Sequence, residues 1–251
     1  MKEFIKLNIE NGIGTIEFFH PKSNSLPGDI LAELASNITT AGEDKKINVI
    51  ILKSAGEKTF CAGASFDELV AIDTPENGKK FFSGFANVIN AARKCPKFII
   101  GRVQGKAVGG GVGIASATDY CFATKLASVK LSELAIGIGP LVIGPAVERR
   151  IGISAFSAMT INATKWFDAN WAHNKGLYSE VLDTIEQMDV EIEKLAFTLS
   201  QSNPMAMKGL KKIMWEGTKH WDTLLMERAK ISGKLVLSDF TRNAINKLNS
   251  K

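Results

Sequence analysis

A nine-residue segment with five glycines constrains this chain more than any other feature. The segment runs from Gly105 to Gly113, reads Gly-Lys-Ala-Val-Gly-Gly-Gly-Val-Gly, and follows the apolar run Phe98–Val103. Glycine gives up side-chain packing and loses much chain entropy, so this density is expected where another backbone or a ligand comes very close. Unencumbered N–H groups at a helix start also direct partial positive charge outward. The segment therefore predicts a loop that holds an anion, or a carbonyl oxygen that becomes one.

The composition indicates a soluble globular protein rather than a membrane or disulfide-rich one. The chain has 251 residues, of which 45% are hydrophobic and 23% charged, close to the averages for globular domains. It contains no apolar run of the roughly 20 residues that a bilayer span needs. Cys61, Cys95 and Cys121 lack paired spacing, and the three histidines lie far apart, which argues against a disulfide framework and against a metal site. We expect buried thiols and a cytoplasmic or similarly reducing location.

The net charge of +5 comes from scattered lysines and arginines rather than from a dense basic stripe. Such a distribution is typical of a solvated surface and also favours a ligand that carries phosphate. Nucleic-acid binding normally requires clustered basic residues with interleaved aromatic residues, so nucleic acid is an unlikely partner on this evidence.

Hydrophobic periodicity predicts an α/β chain with a helical C-terminal part. Phe4–Glu10 and Ile13–Phe19 alternate around Asn11-Gly12, a strong hairpin signal. Strand-like and helical segments then alternate, which favours right-handed crossovers and mixed sheets. They are a helix over about 29–41, a strand over 48–52, a helix over about 75–94, a strand over 97–103, a short helix, and a strand over 120–123.

Beyond about residue 184 the pattern is helical alone. Helices are predicted over 185–200, 205–217 and 221–237, with Asn203-Pro204 between the first two. Amphipathic helices at the end of an α/β core have to cover either that core or a neighbouring subunit. This part of the chain therefore predicts oligomerisation.

Three segments together resemble the enoyl-CoA hydratase/isomerase (crotonase) family in type and in order: Phe60–Ala64, Gly105–Gly111 and Leu131–Gly137. Asn24-Ser25-Leu26 upstream and Ser202-Asn203-Pro204 downstream extend the resemblance, which runs from Phe4 to about Lys247. It implies a crotonase-like ββα superhelix over residues 1–183 and a helical trimerisation region over 184–251. It also implies a homotrimer or a dimer of trimers.

The resemblance assigns roles to particular residues. It implies that the backbone N–H groups of Ala64 and Gly110 form an oxyanion hole for a thioester carbonyl, where each donor contributes on the order of 3 kcal/mol. Glu133 falls at the position of a catalytic glutamate, and a carboxyl group beside an apolar acyl pocket has a raised pKa that suits proton transfer near neutrality. Coenzyme A is then a substrate carrier, and no redox cofactor or metal is implied. The residues implied to contact the acyl-CoA are Phe60, Ala62, Ala64, Phe66, Gly109, Gly110 and Leu141.

The chain also departs from the pattern of the hydratases that use two glutamates. Gly113 stands where they carry the second acid, while Ser65 and Asp67 replace an acid and a CoA-contacting lysine of relatives. Syn addition of water is usually described with two carboxylates. With Glu133 as the one acid, a mechanism for a double-bond shift is simpler to formulate. Glu148 is a candidate second carboxylate, although an ion pair with a neighbouring arginine explains it equally well.

The resulting expectation is an acyl-CoA-dependent lyase, an enoyl-CoA hydratase that adds water to a 2-enoyl-CoA. The alternatives are a Δ3-Δ2-enoyl-CoA isomerase with Glu133 as proton shuttle, a decarboxylase or thioester hydrolase on the same scaffold, and a non-catalytic protein that binds CoA or RNA. A dinucleotide-binding loop is disfavoured because Ser116 stands where the fingerprint requires its third glycine.

Overall fold

The computed structural model describes residues 2–249. Its strands are β1 (Phe4–Glu10), β2 (Ile13–Phe19), β3 (Ser25–Leu26), β4 (Val49–Ser54), β5 (Thr59–Cys61), β6 (Gly63–Ala64), β7 (Phe98–Val103), β8 (Lys106–Val108), β9 (Tyr120–Thr124), β10 (Ser128–Lys130), β11 (Phe167–Asp168) and β12 (Glu180–Leu182). Its α-helices are α1 (Gly28–Glu43), α2 (Phe66–Val70), α3 (Pro75–Lys94), α4 (Gly110–Ala117), α5 (Gly144–Ile161), α6 (Ala169–Asn174), α7 (Ile185–Ser200), α8 (Pro204–Met214), α9 (Trp221–Leu235) and α10 (Asp239–Asn249). A short 3-10 helix covers Glu133–Ile136.

The predicted N-terminal hairpin is confirmed. Strands β1 and β2 pair antiparallel from Phe4 opposite Phe19 to Glu10 opposite Ile13. Asn11 and Gly12 at the turn have φ angles of 50° and 81°. Two central residues with positive φ are what the right-handed twist of a tight hairpin requires, and asparagine and glycine adopt this conformation at least cost.

A six-stranded sheet in the order β1-β2-β4-β7-β9-β12 forms the centre of the molecule. Beyond the first hairpin its strands pair in parallel. The alternate residues Ile50 and Leu52 pack into the main core on one face, while Val49 and Ile51 pack on the other face against α7. The continuous apolar run in β4 is therefore explained by burial on both faces, as the sequence predicts.

A second, four-stranded sheet in the order β11-β10-β8-β5 was not predicted as such. Its strands have two or three residues each, too few for alternation to be visible in the sequence. Strand β8 occupies Lys106–Val108, so the glycine-rich segment is a strand followed by the start of α4 rather than one loop. This sheet brings the ends of β5 and β8 side by side.

The chain after β12 is helical throughout its described part, as the periodicity predicts. Helix α9 packs along α3, and Gly78 and Gly233 allow the two backbones to approach: a Cβ on Gly78 would lie 2.6 Å from the Cα of Gly233. Helix α8 is tied to the sheet by Lys211, whose Nζ donates to Asp119 Oδ2 at 2.7 Å with both side chains buried. The boundary at residue 183, and the role of the C-terminal helices in trimerisation, stay predictions.

No helix within residues 2–249 is long and apolar enough to cross a membrane. The described part of the chain also contains no cluster of three or more histidine, cysteine, aspartate or glutamate side chains placed to hold a metal ion. The three cysteines are free and buried, which confirms the prediction of buried thiols.

Candidate active site

A cavity of about 180 Å³ lies where the segments after β5 and β8 meet the 3-10 helix, α3 and α9. Most of its walls are apolar side chains or backbone. Its lining residues include Ala62, Gly63, Ala64, Phe66, Leu69, Phe81, Phe82, Phe85, Gly109, Gly110, Ser132, Glu133, Leu141, Val142, Ile143 and Ser232. A concave, mostly apolar pocket with a few convergent polar groups is the usual form of a small-molecule site.

The two glycine-containing segments touch each other through their backbones. Gly63 has φ +92°, and a Cβ on it would lie 3.0 Å from the carbonyl oxygen of Val108 and 3.6 Å from the backbone nitrogen of Gly110. A Cβ on Gly111 would lie 2.4 Å from the carbonyl oxygen of Cys61. The glycines are therefore required by the close approach of two backbones, which the sequence predicted for this segment.

Gly109 and Gly110 shape the wall beside Glu133, the one glutamate that lines the cavity within residues 2–249. Gly109 has φ +51°, and a Cβ there would lie 2.7 Å from Glu133 Oε1. Gly110 is the first residue of α4, and the N–H groups of the first helical turn have no acceptor within their own helix. The helical hydrogen bonds begin with the one from Gly113 N to Gly109 O. A Cβ on Gly110 would lie 2.2 Å from Phe85 Cε1. The carboxylate, the N–H and an aromatic ring thus converge on one end of the cavity.

The carboxyl group of Glu133 is held in an apolar environment. Burial raises its pKa from 4.5 to about 7, although a hydrogen bond from its own backbone N–H acts in the opposite direction. Its Oε2 atom is buried and has no hydrogen-bond partner among the residues that the structure describes. A buried, unpaired carboxyl oxygen with a pKa near neutrality is able both to accept and to donate a proton.

The position of the second acid of two-glutamate hydratases is filled by a hydrocarbon side chain. A Cβ on Gly113 would lie 2.6 Å from Cγ2 of Ile143, which lines the cavity. Glu148, the candidate second carboxylate, is exposed on α5 and does not line the cavity. Of the two explanations left open for Glu148, its exposed position outside the cavity wall does not favour the second acid.

Most of the predicted site residues do line the cavity: Ala62, Ala64, Phe66, Gly109, Gly110, Glu133 and Leu141. Phe60 does not. It is fully buried, and its ring packs edge-to-face on Phe18 with centroids 5.6 Å apart. Phe60 is thus a core residue of β5, and the prediction that it contacts the ligand is corrected as far as its side chain is concerned. The catalytic and binding roles of the other residues stay predictions.

The residues that depart from the family pattern have structural partners. Ser65 caps α2 by accepting a hydrogen bond from Glu68 N at 3.4 Å. Asp67 forms an exposed ion pair with Lys22. Asn24, in the upstream motif, is buried with φ +53° and donates to the carbonyl oxygens of Ala55 and Thr59. These residues shape the segment that leads to the cavity rather than its wall.

Sequence reasoning missed the wall that α3 and α9 contribute. Phe81, Phe82 and Phe85 on α3, Leu69 on α2 and Ser232 on α9 all line the cavity. The spacing of the three phenylalanines is typical of any apolar helix face, so it predicts burial without distinguishing a core from a ligand pocket. A serine in an amphipathic helix carries no sequence signal that would mark it as part of a ligand pocket.

Comparison with known proteins agrees with this geometry. A family model described as enoyl-CoA hydratase/isomerase matches residues 8–242. The bacillaene synthase dehydratase PksH of Bacillus subtilis (strain 168) is 30% identical over 214 residues, which are 84% of this chain and 80% of that protein. The short-chain-enoyl-CoA hydratase of Clostridium acetobutylicum is 28% identical, covering 95% of this chain and 92% of its own length.

Among solved structures, an enoyl-CoA hydratase from Bacillus halodurans superimposes with a TM-score of 0.89 at 18% identity, over 97% of this chain and 99% of that one. This match shows that the protein has the crotonase fold. The family model covers nearly the whole chain, and the chain belongs to the enoyl-CoA hydratase/isomerase family.

Proposed function

We propose that this protein is an enoyl-CoA hydratase that adds water to a 2-enoyl-CoA. The observation that carries the proposal is the Glu133 carboxyl group: its pKa is raised to about 7, one of its oxygens is unpartnered, and it lies against Gly109 beside the start of α4. The hydratase names of similar proteins support the same reaction class.

In the proposed reaction, the backbone N–H groups of Gly110 and Ala64 donate hydrogen bonds to the thioester carbonyl oxygen. Water attacks C3 and forms the new C–O bond while the C2–C3 π electrons move into an enolate, whose oxygen the two donors stabilise. Glu133 accepts the proton that the water loses and delivers it to C2. One carboxyl group with a pKa near 7 is suited to both transfers.

Coenzyme A enters this proposal as the carrier of the substrate. Ala62, Phe66 and Leu141 line the cavity, and we propose that they contact the thioester and the adjoining part of the carrier. The net charge of +5 favours approach of a ligand with several phosphate charges.

Gly113 and Ile143 favour a second candidate, the Δ3-Δ2-enoyl-CoA isomerase. Because Ile143 fills the place of a second acid, Glu133 is the one carboxylate among the described lining residues. An isomerase needs one carboxylate only, which removes a proton at C2 and returns it at C4 while the oxyanion donors hold the dienolate.

Product analysis separates these reactions. Purified protein is incubated with 2-enoyl-CoA and 3-enoyl-CoA thioesters, and products are identified by mass spectrometry and by absorbance of the conjugated thioester. Formation of 3-hydroxyacyl-CoA supports the hydratase, and conversion of 3-enoyl into 2-enoyl thioesters without hydration identifies the isomerase.

Glu133→Gln is the test variant, and Glu148→Gln, which changes an exposed carboxylate, is the matched control. We expect the first to lose activity and the second to keep it. Full activity of Glu133→Gln contradicts the proposed catalytic role. Absence of turnover in the wild-type protein, with acyl-CoA still bound, contradicts an enzymatic function and favours the binding-protein alternative.

A further inference from the structure

Ser232 is an unusual group in the cavity wall. It is 1% exposed, lies on α9 and lines the cavity. No hydrogen bond of its hydroxyl is found within the described part of the chain, whereas the hydroxyl of Ser83 on α3 donates to Lys79 O at 2.7 Å. Buried polar groups are nearly always paired with protein, water or a ligand, so this hydroxyl is available to a molecule in the cavity.

The helix crossing places the backbone of Ser232 next to the part of α3 that contains Gly78. Gly233, the next residue, touches Gly78 on α3, whereas Phe85 on the same helix touches Gly110. Seven residues of α-helix separate Gly78 from Phe85, a rise of about 10 Å at roughly 1.5 Å per residue. Phe81 and Phe82 line the cavity between these two points. The cavity therefore runs along α3, with Glu133 and Gly110 at one end and Ser232 at the other.

Charge and volume restrict what fits between the two ends. No lysine, arginine or histidine side chain is among the described lining residues, so a carboxylate at the far end of an acyl group would be buried without a counter-ion. A volume of about 180 Å³ restricts the acyl group to a short chain. A short, uncharged chain fits these limits.

We propose that Ser232 is a specificity-determining residue, which selects a short 2-enoyl group that carries a neutral hydrogen-bonding oxygen, a hydroxyl or keto group, at its far end. This inference rests on the proposed function, because it takes the Gly110 end of the cavity as the thioester end. The apolar walls hold the carbon chain, and the serine hydroxyl pairs with the terminal oxygen. A site built around a hydrogen bond discriminates against an analogue that lacks the partner, because a polar group is then left unpaired.

Three thioesters test this proposal: 5-hydroxy-2-pentenoyl-CoA, its isostere 2-hexenoyl-CoA, and 4-carboxy-2-butenoyl-CoA. We expect kcat/KM of the wild-type protein to be about tenfold higher for the hydroxyl substrate than for its isostere, and lowest for the carboxylate. In Ser232→Ala the ratio of the two kcat/KM values, hydroxyl substrate over isostere, should fall to about one. Ser83→Ala is the matched control and should leave the ratio unchanged.

Equal kcat/KM for the hydroxyl substrate and its isostere, or a ratio that Ser232→Ala does not change, overturns the inference while leaving the hydratase proposal intact. Failure to convert any thioester overturns the proposed function instead. In that case the dissociation constants of the three thioesters, measured by calorimetry on the wild type and Ser232→Ala, still report whether the hydroxyl preference exists and depends on Ser232.

Discussion

At the scale of single residues, the pKa of Glu133 determines the expected pH dependence of activity. Its value of about 7 comes from burial, so the rate should change with an inflection near this pH. Glu133→Gln should lower kcat by about 10²- to 10⁴-fold, the usual contribution of general acid–base catalysis, and should remove the inflection. Steady-state rates from pH 5 to 9 measure both effects, and an unchanged profile in the variant assigns the titration to another group.

The same pKa shift predicts a pH-dependent effect on stability. Because the folded-state pKa is raised, the folded protein binds more protons than the unfolded chain between about pH 4.5 and 7. The contribution of Glu133 is therefore most favourable below pH 4.5 and is lost as the pH rises through 7. Glu133→Gln should raise the free energy of unfolding at pH 8 by roughly 1–3 kcal/mol and leave it unchanged near pH 4. Urea unfolding at both values checks the sign, and a variant less stable at pH 8 contradicts it.

We expect Gly109 to be required for activity, because its φ angle is positive and the carboxyl group of Glu133 lies against it. Gly109→Ala adds a Cβ that would lie 2.7 Å from Glu133 Oε1 at φ +51°, so the carboxyl group has to move. Gly56→Ala is a matched control: it has φ +87° with open space around the added Cβ. Both variants should lose about 1 kcal/mol of stability from the strained backbone, but only Gly109→Ala should lose more than about tenfold in kcat. Equal activity of the two variants contradicts this assignment.

At the scale of elements, a buried ion pair fixes α8 to the central sheet. Asp119 accepts hydrogen bonds from Lys211 Nζ, Trp215 Nε1 and Ile99 N. Lys211→Met leaves a buried carboxylate without its counter-ion, which should cost about 3–5 kcal/mol. Lys212→Met changes the exposed neighbour on the same helix and should cost less than about 0.5 kcal/mol. Denaturant titration measures the difference, and similar losses in the two variants contradict an anchoring role.

The elements that the sequence predicts well are those with strong local signals. The hairpin follows from Asn11-Gly12, α3 from its helical periodicity, and β4 from its apolar run. The four-stranded sheet escapes prediction because strands of two or three residues are defined by their partners rather than by their own pattern. Whether such short strands form depends on the strands they pair with in the folded protein.

The residues of the candidate site also fall into two groups: those that the sequence marks and those that only tertiary packing brings to the cavity. Gly109, Gly110 and Glu133 are visible in the sequence because glycine density and the family motif mark them. Phe60 lies beside the same motif but belongs to the core, because its orientation depends on how β5 packs. Ser232 lies about a hundred residues further along the chain than Glu133, and only the crossing of α3 and α9 brings it to the cavity. Long-range packing of this kind leaves no local trace.

At the scale of the whole molecule, we expect the homotrimer or dimer of trimers that the family resemblance implies. Helix α8 exposes apolar side chains, including Met205 at 71% and Ile213 at 63% of their surface, and such patches favour subunit contact. Ile213→Glu should therefore reduce the sedimentation coefficient. Leu126→Glu, at an apolar residue that is 77% exposed and lies outside α8, is the control. A wild-type protein that sediments as a single chain of 27.2 kDa contradicts the expectation.

The contact between Gly78 and Gly233 has a thermodynamic consequence for the whole chain. Since α9 supplies one wall of the cavity, any ligand that contacts this wall binds the docked helix and not the detached one. Ligand binding and helix docking are then linked equilibria. An acyl-CoA in the cavity should slow amide hydrogen exchange in α9 more than in α1, which lines no part of the cavity. The exchange rate of the amides in α9 thus reports whether the cavity is occupied.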